Sequence, residues 1–339
     1  MELLPGITAR RVDVDDAGDL ERAYVVARAC ELAGIGHSDA TRESMIAGLT
    51  GPDAARDEHL IAFEGEVPVG LLAVESFPSE RELYVDTYGV GDRAGDVLAA
   101  LLGSALSLGE SLAARDPGPG LPEGADPYPL DPRLWQVTSG AYEQDQAYRE
   151  ALRAHGFREI RRFWRMRQDL AGVPPTPPAA PEGVTLRAVD GLEDRVALHR
   201  VFEESFADHF GHASVPTEDW LARISALPGA DEGRWWLALL DGVPVGLCIQ
   251  DDSRAEFGDG YVRTLGVVAS ARGRGIARWL LGCAAADSIS RGRTGVALAV
   301  DGQNTTGAVA LYQSVGYEAR HVIDVWCRPI GIQPPTITE

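Results

Sequence analysis

Apolar residues recur along the chain in two kinds of stretch, which predict strands and helices. Residues 59–75 and 235–251 are short apolar runs on either side of a glycine-containing turn, a pattern typical of a β-hairpin. Residues 94–115 and 275–291 are longer and carry apolar side chains at helical spacing, which predicts helices with one buried face. The chain therefore predicts a mixture of hairpins and long helices.

These elements occur in the same order in each half of the chain. A short strand, residues 7–12 or 184–189, is followed by acidic helical sequence and then by the hairpin. The second hairpin strand begins with the same four residues, V-P-V-G, at Val67–Gly70 and Val243–Gly246. The repeat predicts an α/β (α+β) fold of two tandem domains, each a mixed, mostly antiparallel twisted sheet flanked by helices.

A proline-rich stretch separates the two halves. Residues 171–183, AGVPPTPPAAPEG, are predicted to form a stiff, extended linker. The predicted domains are therefore 1–170 and 184–339. A second stretch rich in proline and glycine, 116–132, is interpreted as a surface loop of the first domain.

Composition excludes several classes of chemistry. All 31 basic residues are arginine, so a Schiff-base lysine, a pyridoxal-phosphate lysine and a Walker-type lysine are excluded. The net charge of −20 opposes binding to nucleic acid and to anionic membranes, and it tolerates an amine-bearing partner. No apolar run is long enough for a membrane span and the N-terminus lacks a signal-peptide pattern, which predicts a cytoplasmic protein. The 4 cysteines have no metal-binding or redox spacing.

The segment 265–281 has the features of an anion site. A strand is predicted to end at Val268, and Arg272–Ala277, R-G-R-G-I-A, opens a helix. Small residues let backbone amides approach an anion, and a helix N-terminus adds unpaired N–H groups. A diphosphate would fit there, with Arg272 and Arg274 pairing with further oxygens. The alternative is a tight strand-to-helix turn without a ligand.

Together with a later segment, this motif resembles the GNAT (GCN5-related) N-acetyltransferase family. The family's first motif, R/Q-x-x-G-x-G/A, is matched by Arg272, Gly275 and Ala277. Its second motif is matched by Asn304, Ala308, Leu311, Tyr312, Gly316 and Tyr317. The order of elements extends the resemblance over 184–330, and the two-domain layout is similar to the tandem, mycothiol-synthase-like actinobacterial group of the family.

The resemblance implies an acyltransferase that transfers groups other than amino-acyl groups, with acetyl-CoA as donor and no metal. It implies direct attack by a primary amine of a small molecule, with Tyr312 as general acid. The fourth and fifth strands would splay apart around the pantetheine arm. The implied cofactor contacts are Leu265, Gly266, Val267, Val268, Arg272, Gly273, Arg274, Gly275, Ile276, Ala277, Asn304 and Ala308. A monomer and a homodimer are both compatible with the tandem layout.

The general base is not evident. Many family members place a carboxylate on the strand before the first motif, where this chain has Arg263 and Thr264. The nearest carboxylates are Glu256 and Asp259, before the strand, and Asp251 and Asp252 on the preceding strand; each is a candidate base or else a solvated turn residue, and a water chain could serve instead. The segment 206–212 resembles an F-x-D-H-W-G motif of tandem relatives. Its Asp208 and His209 are candidate acceptor or base residues, or else side chains that hold a loop.

The first domain is predicted to be catalytically silent. Alignment of the two long helices places Asp96 on Gly275 and Leu98 on Ala277, and the closing helices place Leu152 on Tyr312. A carboxylate would repel the diphosphate, and the general acid is missing. Two other functions stay open for the chain: an acyl-CoA-binding sensor or scaffold without turnover, and a longer-chain acyltransferase of natural-product biosynthesis.

Overall fold

The computed structural model describes residues 1–122, 125–126, 128, 131–207, 214–304 and 306–331. Within them the chain forms two compact units. The first unit is Met1–Phe163 together with the described residues from Val322 on, and the second is Trp164–His321. The fold is mixed α/β, with a mixed sheet flanked by helices in each unit.

The first unit contains a mostly antiparallel sheet. Its strand order is β1-β2-β3-β4-β5-β6, and residues 322–329 of the last strand, β13, pair with β6. Only β5 and β6 are parallel among the described pairs. The strands are β1 Glu2–Leu4, β2 Ile7–Arg11, β3 Leu60–Glu64, β4 Val67–Phe77, β5 Glu82–Gly89, β6 Gln136–Tyr142 and β13 Tyr317–Pro329. The helices are α1 Ala17–Ile35, α2 Arg42–Thr50, α3 Ala94–Arg115 and α4 Gln146–Ala154.

The second unit repeats this order. Its sheet runs β8-β9-β10-β11-β12-β7, where β7 enters the unit with residues 164–169, and only β11 and β12 are parallel among the described pairs. The strands are β7 Arg158–Asp169, β8 Val184–Ala188, β9 Ala230–Leu240, β10 Val243–Asp251, β11 Asp259–Val267 and β12 Gly295–Asp301. The helices are α5 Gly191–Phe206, α6 Thr217–Ser225, α7 Ile276–Ser290 and α8 Ala308–Ser314.

The division of the chain differs from the predicted boundaries of 1–170 and 184–339. Residues 322–329 lie in the first unit because they pair with β6. The proline-rich stretch 171–183 lies inside the second unit, where it packs on α7: the Trp279 indole N–H donates to the Pro178 carbonyl at 3.1 Å. The stretch is therefore a packed strap on α7 rather than a linker between domains.

Each unit buries one face of its long helix. In the first unit α3 buries Val97, Leu101 and Leu102 on the sheet. Although the sequence predicts no membrane span, α3 is apolar and long enough to cross a membrane by length and composition alone, a test that a core helix with a buried face also passes. In the second unit α7 buries Leu280, Leu281 and Ala284 in the same way. The start of α7, next to the end of β11, is the candidate site.

Candidate active site

The strands β11 and β12 separate halfway along their length. They pair from Asp259 opposite Gly295 to Val262 opposite Leu298. Beyond Val262, the described pairing of β11 is with β10 alone, from Thr264 to Val267. The predicted splay is therefore present. It leaves one backbone edge of β11 at Leu265, Gly266 and Val267 facing the gap, where an extended chain could make strand-like hydrogen bonds.

A β-bulge lies at the point where the splay begins. The register against β10 shifts so that Arg263 is the extra residue between Val262 and Thr264. The first unit has a regular register at the corresponding strands β4 and β5. A bulge bends its strand and redirects side chains, so the second unit has a local distortion that the first lacks.

The turn between β11 and α7 is open and lined by glycine. Gly273 and Gly275 have φ of 77° and 79°, the left-handed region that favours glycine. A Cβ atom at either glycine would meet no heavy atom within 4 Å. Gly275 is the N-cap of α7, no side chain caps the helix, and the first helical bond runs from the Trp279 N–H to the Gly275 carbonyl.

The backbone amides of the helix start therefore have room for an external partner. The N–H groups from Gly273 to Arg278 precede the first helical bond, and Ile276 and Ala277 form the first turn of α7. The first N–H groups of a helix lack intrahelical acceptors, and the helix dipole favours negative charge there. The turn can hold an anion such as a diphosphate.

The two arginines of the turn differ in what they contact. The Arg272 guanidinium donates to the Val267 carbonyl at 3.0 Å and to the Ser205 carbonyl at 3.2 Å. The Arg272 N–H donates to the Ala269 carbonyl at 3.3 Å. Arg274 is exposed and has no ion pair or hydrogen bond among the described residues. Arg274 is thus the cation of this turn that is free to contact an anion.

Tyr312, the predicted general acid, lies on α8 and is 8% exposed. Burial, with a smaller contribution from the nearby Cys248 thiol, raises the pKa of Tyr312 to about 12. Its ring lies 5.9 Å from that of Tyr317. Its hydroxyl makes no hydrogen bond to the described residues. Tyr312 therefore keeps its proton at neutral pH and has a free O–H to donate.

Asn304 and Ala308 lie where β12 leads into α8. The Asn304 amide oxygen accepts the Thr306 N–H at 2.7 Å, and it also accepts the Thr306 hydroxyl. Gly307 is the N-cap of α8, with φ of 79°, and Ala308 is the first helical residue. Asn304 closes the turn through its oxygen, so its amide N–H groups are what it could offer to a ligand.

The candidate bases lie at different distances from the point where β11 and β12 separate. Thr264 is half-buried on β11 beside the bulge, and its hydroxyl makes no hydrogen bond to the described residues. Asp259 begins β11, five residues earlier, roughly 16 Å away at the usual strand rise. Glu256 is exposed in a short 3₁₀ turn before Asp259. Asp208 and His209 lie outside the described residues.

Asp259 is also occupied by an ion pair. The Arg167 guanidinium Nε lies 2.9 Å from one Asp259 oxygen and 3.1 Å from the other. Burial raises the pKa of Asp259 above its usual value, and Arg167 opposes that shift. Its distance and its partner make Asp259 a structural residue at the far end of β11 rather than a base at the splay.

The sequence contains Arg263 and Asp251 near the predicted splay, but it does not show that the two side chains pair. Arg263 donates to Asp251 at 2.7 Å and to the Ser253 hydroxyl at 3.2 Å, and its guanidinium lies 4.7 Å from the centre of the Tyr261 ring. The Asp251 side chain is 3% exposed. Arg263 and Asp251 face each other only because of the β10–β11 register, which no local sequence pattern signals.

The corresponding turn of the first unit is closed. Residues Ala94–Asp96, which align with Gly273–Gly275, already belong to α3. A Cβ atom on Gly89 would lie 2.6 Å from the Ala94 carbonyl oxygen. The Asp96 carboxylate lies 3.6 Å from the Arg93 guanidinium at the helix start. The first unit thus has a helical turn with a carboxylate where the second has an open turn with glycines.

The chain is similar to known acetyltransferases over nearly its whole length. A model of the acetyltransferase (GNAT) family matches residues 195–317. A mycothiol acetyltransferase of Thermobispora bispora is 31% identical over 325 residues, which cover 94% of this chain and 99% of the relative.

Two solved structures share the fold. A GCN5-related N-acetyltransferase from Sphaerobacter thermophilus, 24% identical, covers 97% of each chain with a TM-score of 0.75. A tandem GNAT protein from the clavulanic acid biosynthesis pathway, 15% identical, covers 96% of this chain and 99% of that protein with a TM-score of 0.73. Both likenesses therefore extend along nearly the whole chain.

Proposed function

This chain belongs to the GNAT family of N-acetyltransferases, and from that premise we propose that its second unit moves an acetyl group from acetyl-CoA to a primary amine of a small molecule. The observation that carries the proposal is the combination of an open, glycine-lined turn before α7 with a buried tyrosine whose hydroxyl is free. The turn suits the donor's diphosphate, and the tyrosine suits the departing thiolate.

Donor binding would follow from the backbone. The amides from Gly273 to Ala277 would donate to the diphosphate oxygens, with Arg274 adding a charge-assisted contact. The free edge of β11 at Leu265–Val267 would hydrogen-bond the amide groups of the pantetheine arm, beside Val268, whose N–H donates to the Val245 carbonyl. Asn304 would contribute an amide N–H from the opposite side of the splay.

The chemical step needs one proton donor. The amine nitrogen attacks the thioester carbonyl carbon, and the carbon–sulfur bond breaks as the tetrahedral intermediate collapses. Tyr312 gives its hydroxyl proton to the leaving sulfur and recovers a proton from water afterwards. Positioned proton transfer of this kind contributes about 10²- to 10⁴-fold to the rate.

The proton of the attacking amine would leave through water. Thr264 occupies the position nearest the splay and cannot act as a base at neutral pH, since a hydroxyl does not ionise there. The Asp251 carboxylate is paired with Arg263. The amine must therefore arrive neutral, or lose its proton to solvent before attack.

The acceptor is proposed from charge and relatives. A net charge of −20 favours an amine-bearing partner over a polyanion. The relative's name makes the amine precursor of mycothiol the first acceptor to test. We propose that the reaction takes place in the cytoplasm and that the protein acts as a monomer or a homodimer. The first unit would contribute no catalytic group.

Thiol release from acetyl-CoA with a panel of amines tests the proposal. Tyr312→Phe should lower kcat by about 10²-fold or more, while CoA affinity stays near that of the wild type. Tyr317→Phe is the matched control, because its buried hydroxyl also makes no hydrogen bond to the described residues and its ring packs beside Tyr312.

Three outcomes would contradict this proposal. Full activity of Tyr312→Phe would remove the general acid. Tight CoA binding without thiol release for any amine would favour a CoA-binding sensor, and faster turnover with a long acyl chain would favour the longer-chain acyltransferase.

A further inference from the structure

The exposed Arg272 guanidinium contacts two backbone carbonyls of its own unit. Its guanidinium bridges the Val267 carbonyl at the end of β11 and the Ser205 carbonyl in the last turn of α5. Cations are favoured at helix C-termini, where the last carbonyls lack intrahelical donors. Arg272 thus caps the C-terminus of α5 and at the same time links that helix end to Val267, at the end of β11.

The end of α5 and the strand β11 are also in direct contact. A Cβ atom on Gly266 would lie 2.9 Å from the Ser205 Cβ and 3.0 Å from a Phe206 ring carbon. Glycine at 266 therefore allows the helix end to approach the strand backbone. The contact and the Arg272 bridge fix the same helix end from two sides.

The end of α5 covers the sheet face that carries Thr264. Alternate residues of a strand share a face, so the side of Gly266 that meets Ser205 is the side on which Thr264 lies. Thr264 stands beside the bulge where the splay opens. The last turn of α5 is therefore a wall of the site on the acceptor side of β11.

We propose that Arg272 is a positioning residue, which ties the acceptor-side wall formed by α5 to the donor turn and leaves the phosphate contact to Arg274. The proposal rests on the donor site proposed above. When a bound diphosphate holds the turn from Gly273 to Ala277 in one conformation, the hydrogen bond from Arg272 to the Ser205 carbonyl holds the end of α5 in place. Binding of the donor then orders the acceptor-side wall.

Paired substitutions separate the two roles. Arg272→Met and Arg274→Met remove the same charge two residues apart and keep a long side chain. The measurements are CoA affinity by calorimetry at low and high ionic strength, and amide hydrogen exchange of residues 200–207 with and without saturating CoA. Neither measurement needs a known acceptor or turnover.

The two variants should fail in different ways. Arg274→Met should weaken CoA binding and flatten its ionic-strength dependence, because a charge–phosphate contact is screened by salt. It should keep the slowing of exchange at 200–207 on CoA binding. Arg272→Met should keep the wild-type ionic-strength dependence of CoA binding. Its CoA-induced slowing of exchange at 200–207 should be about 5- to 150-fold smaller than in the wild type, the usual range of coupling between sites. Arg272→Lys should restore part of it.

Three results would overturn the proposal. One is loss of CoA affinity and of ionic-strength dependence in Arg272→Met as large as in Arg274→Met, which would make Arg272 a phosphate ligand. Another is unchanged exchange at 200–207 in Arg272→Met. If Arg272→Met does not fold, Arg272→Lys must show the intermediate exchange, and wild-type exchange would count against the role. Failure of the wild type to bind CoA would instead refute the proposed function.

Discussion

At the scale of single residues, the position of Tyr312 could be predicted but its environment could not. The spacing of the second motif places a tyrosine on a short helix after Asn304. The Tyr312 side chain is buried by tertiary packing: it lies beside Tyr317, from β13, and near Cys248, from β10. That packing raises the pKa of Tyr312 to about 12 by burial, which determines when it can act as an acid.

The raised pKa predicts the shape of the pH–rate profile. An ordinary tyrosine ionises near pH 10, whereas Tyr312, with a pKa of about 12, stays protonated beyond that pH. We expect kcat/KM for the amine to rise as the amine loses its proton and then to stay level to about pH 10. Initial rates from about pH 6 to 10 test this, and a fall centred near pH 8 or 9 would show that another group donates the proton.

Arg272 and Arg274 show the limit of a motif at this scale. In the sequence both arginines stand beside glycines and both are candidate phosphate contacts. The left-handed turn at Gly273 points the two side chains to different surroundings, so that only Arg272 reaches backbone carbonyls among the described residues. Side-chain direction depends on the turn geometry, which the motif does not specify.

At the scale of elements, the repeated V-P-V-G has a packing explanation. A Cβ atom on Gly70 would lie 2.4 Å from a Val97 methyl group, and one on Gly246 would lie 3.4 Å from an Ile276 methyl group. Gly70 therefore lets α3 lie close to β4, whereas a Cβ atom on Gly246 would be nearest to the neighbouring strands, at 3.3 Å from the Ala238 Cβ and from the Gly266 carbonyl oxygen, and its contact with α7 would be ordinary. The sequence predicted the hairpin and the helix but not the contact between them.

The strap on α7 predicts an unusual response to alanine. A Cβ atom on Gly282 would lie 2.6 Å from the Pro178 ring, whereas one on Gly103, in the middle of α3, would meet no heavy atom within 4 Å. Gly103→Ala should raise stability by about 1 kcal/mol through helix propensity. Gly282→Ala should instead lower it by about 1–3 kcal/mol, because the strap must move.

Thermal unfolding of the two variants checks this pair. The expected result is a higher Tm for Gly103→Ala and a lower Tm for Gly282→Ala. If Gly282→Ala were as stabilising as Gly103→Ala, the strap would not be packed on α7 as described.

At the scale of the whole molecule, the tandem repeat could be predicted and its boundaries could not. The order of elements is the same in both halves, which is enough to indicate duplication. The exchange of residues 322–329 into the first unit depends on pairing with β6, a contact far away in the sequence. Proline-rich composition indicates a stiff segment, but its packing on α7 depends on Trp279, which lies about a hundred residues further on.

Because the two units differ at this turn, we infer that only the open turn of the second unit binds the donor. Calorimetric titration of the wild type, Gly275→Asp and Gly292→Asp with CoA tests this inference. Gly275 and Gly292 flank α7, have φ of 79° and 73°, and have open space around the missing Cβ. Both substitutions therefore carry the same backbone strain. Only the carboxylate introduced by Gly275→Asp would lie at the helix start and repel a diphosphate, as Asp96 would in the first unit.

We expect one CoA per chain for the wild type and for Gly292→Asp, and no measurable binding for Gly275→Asp with its fold retained. Two CoA molecules per wild-type chain, or one that survives Gly275→Asp, would contradict the inference.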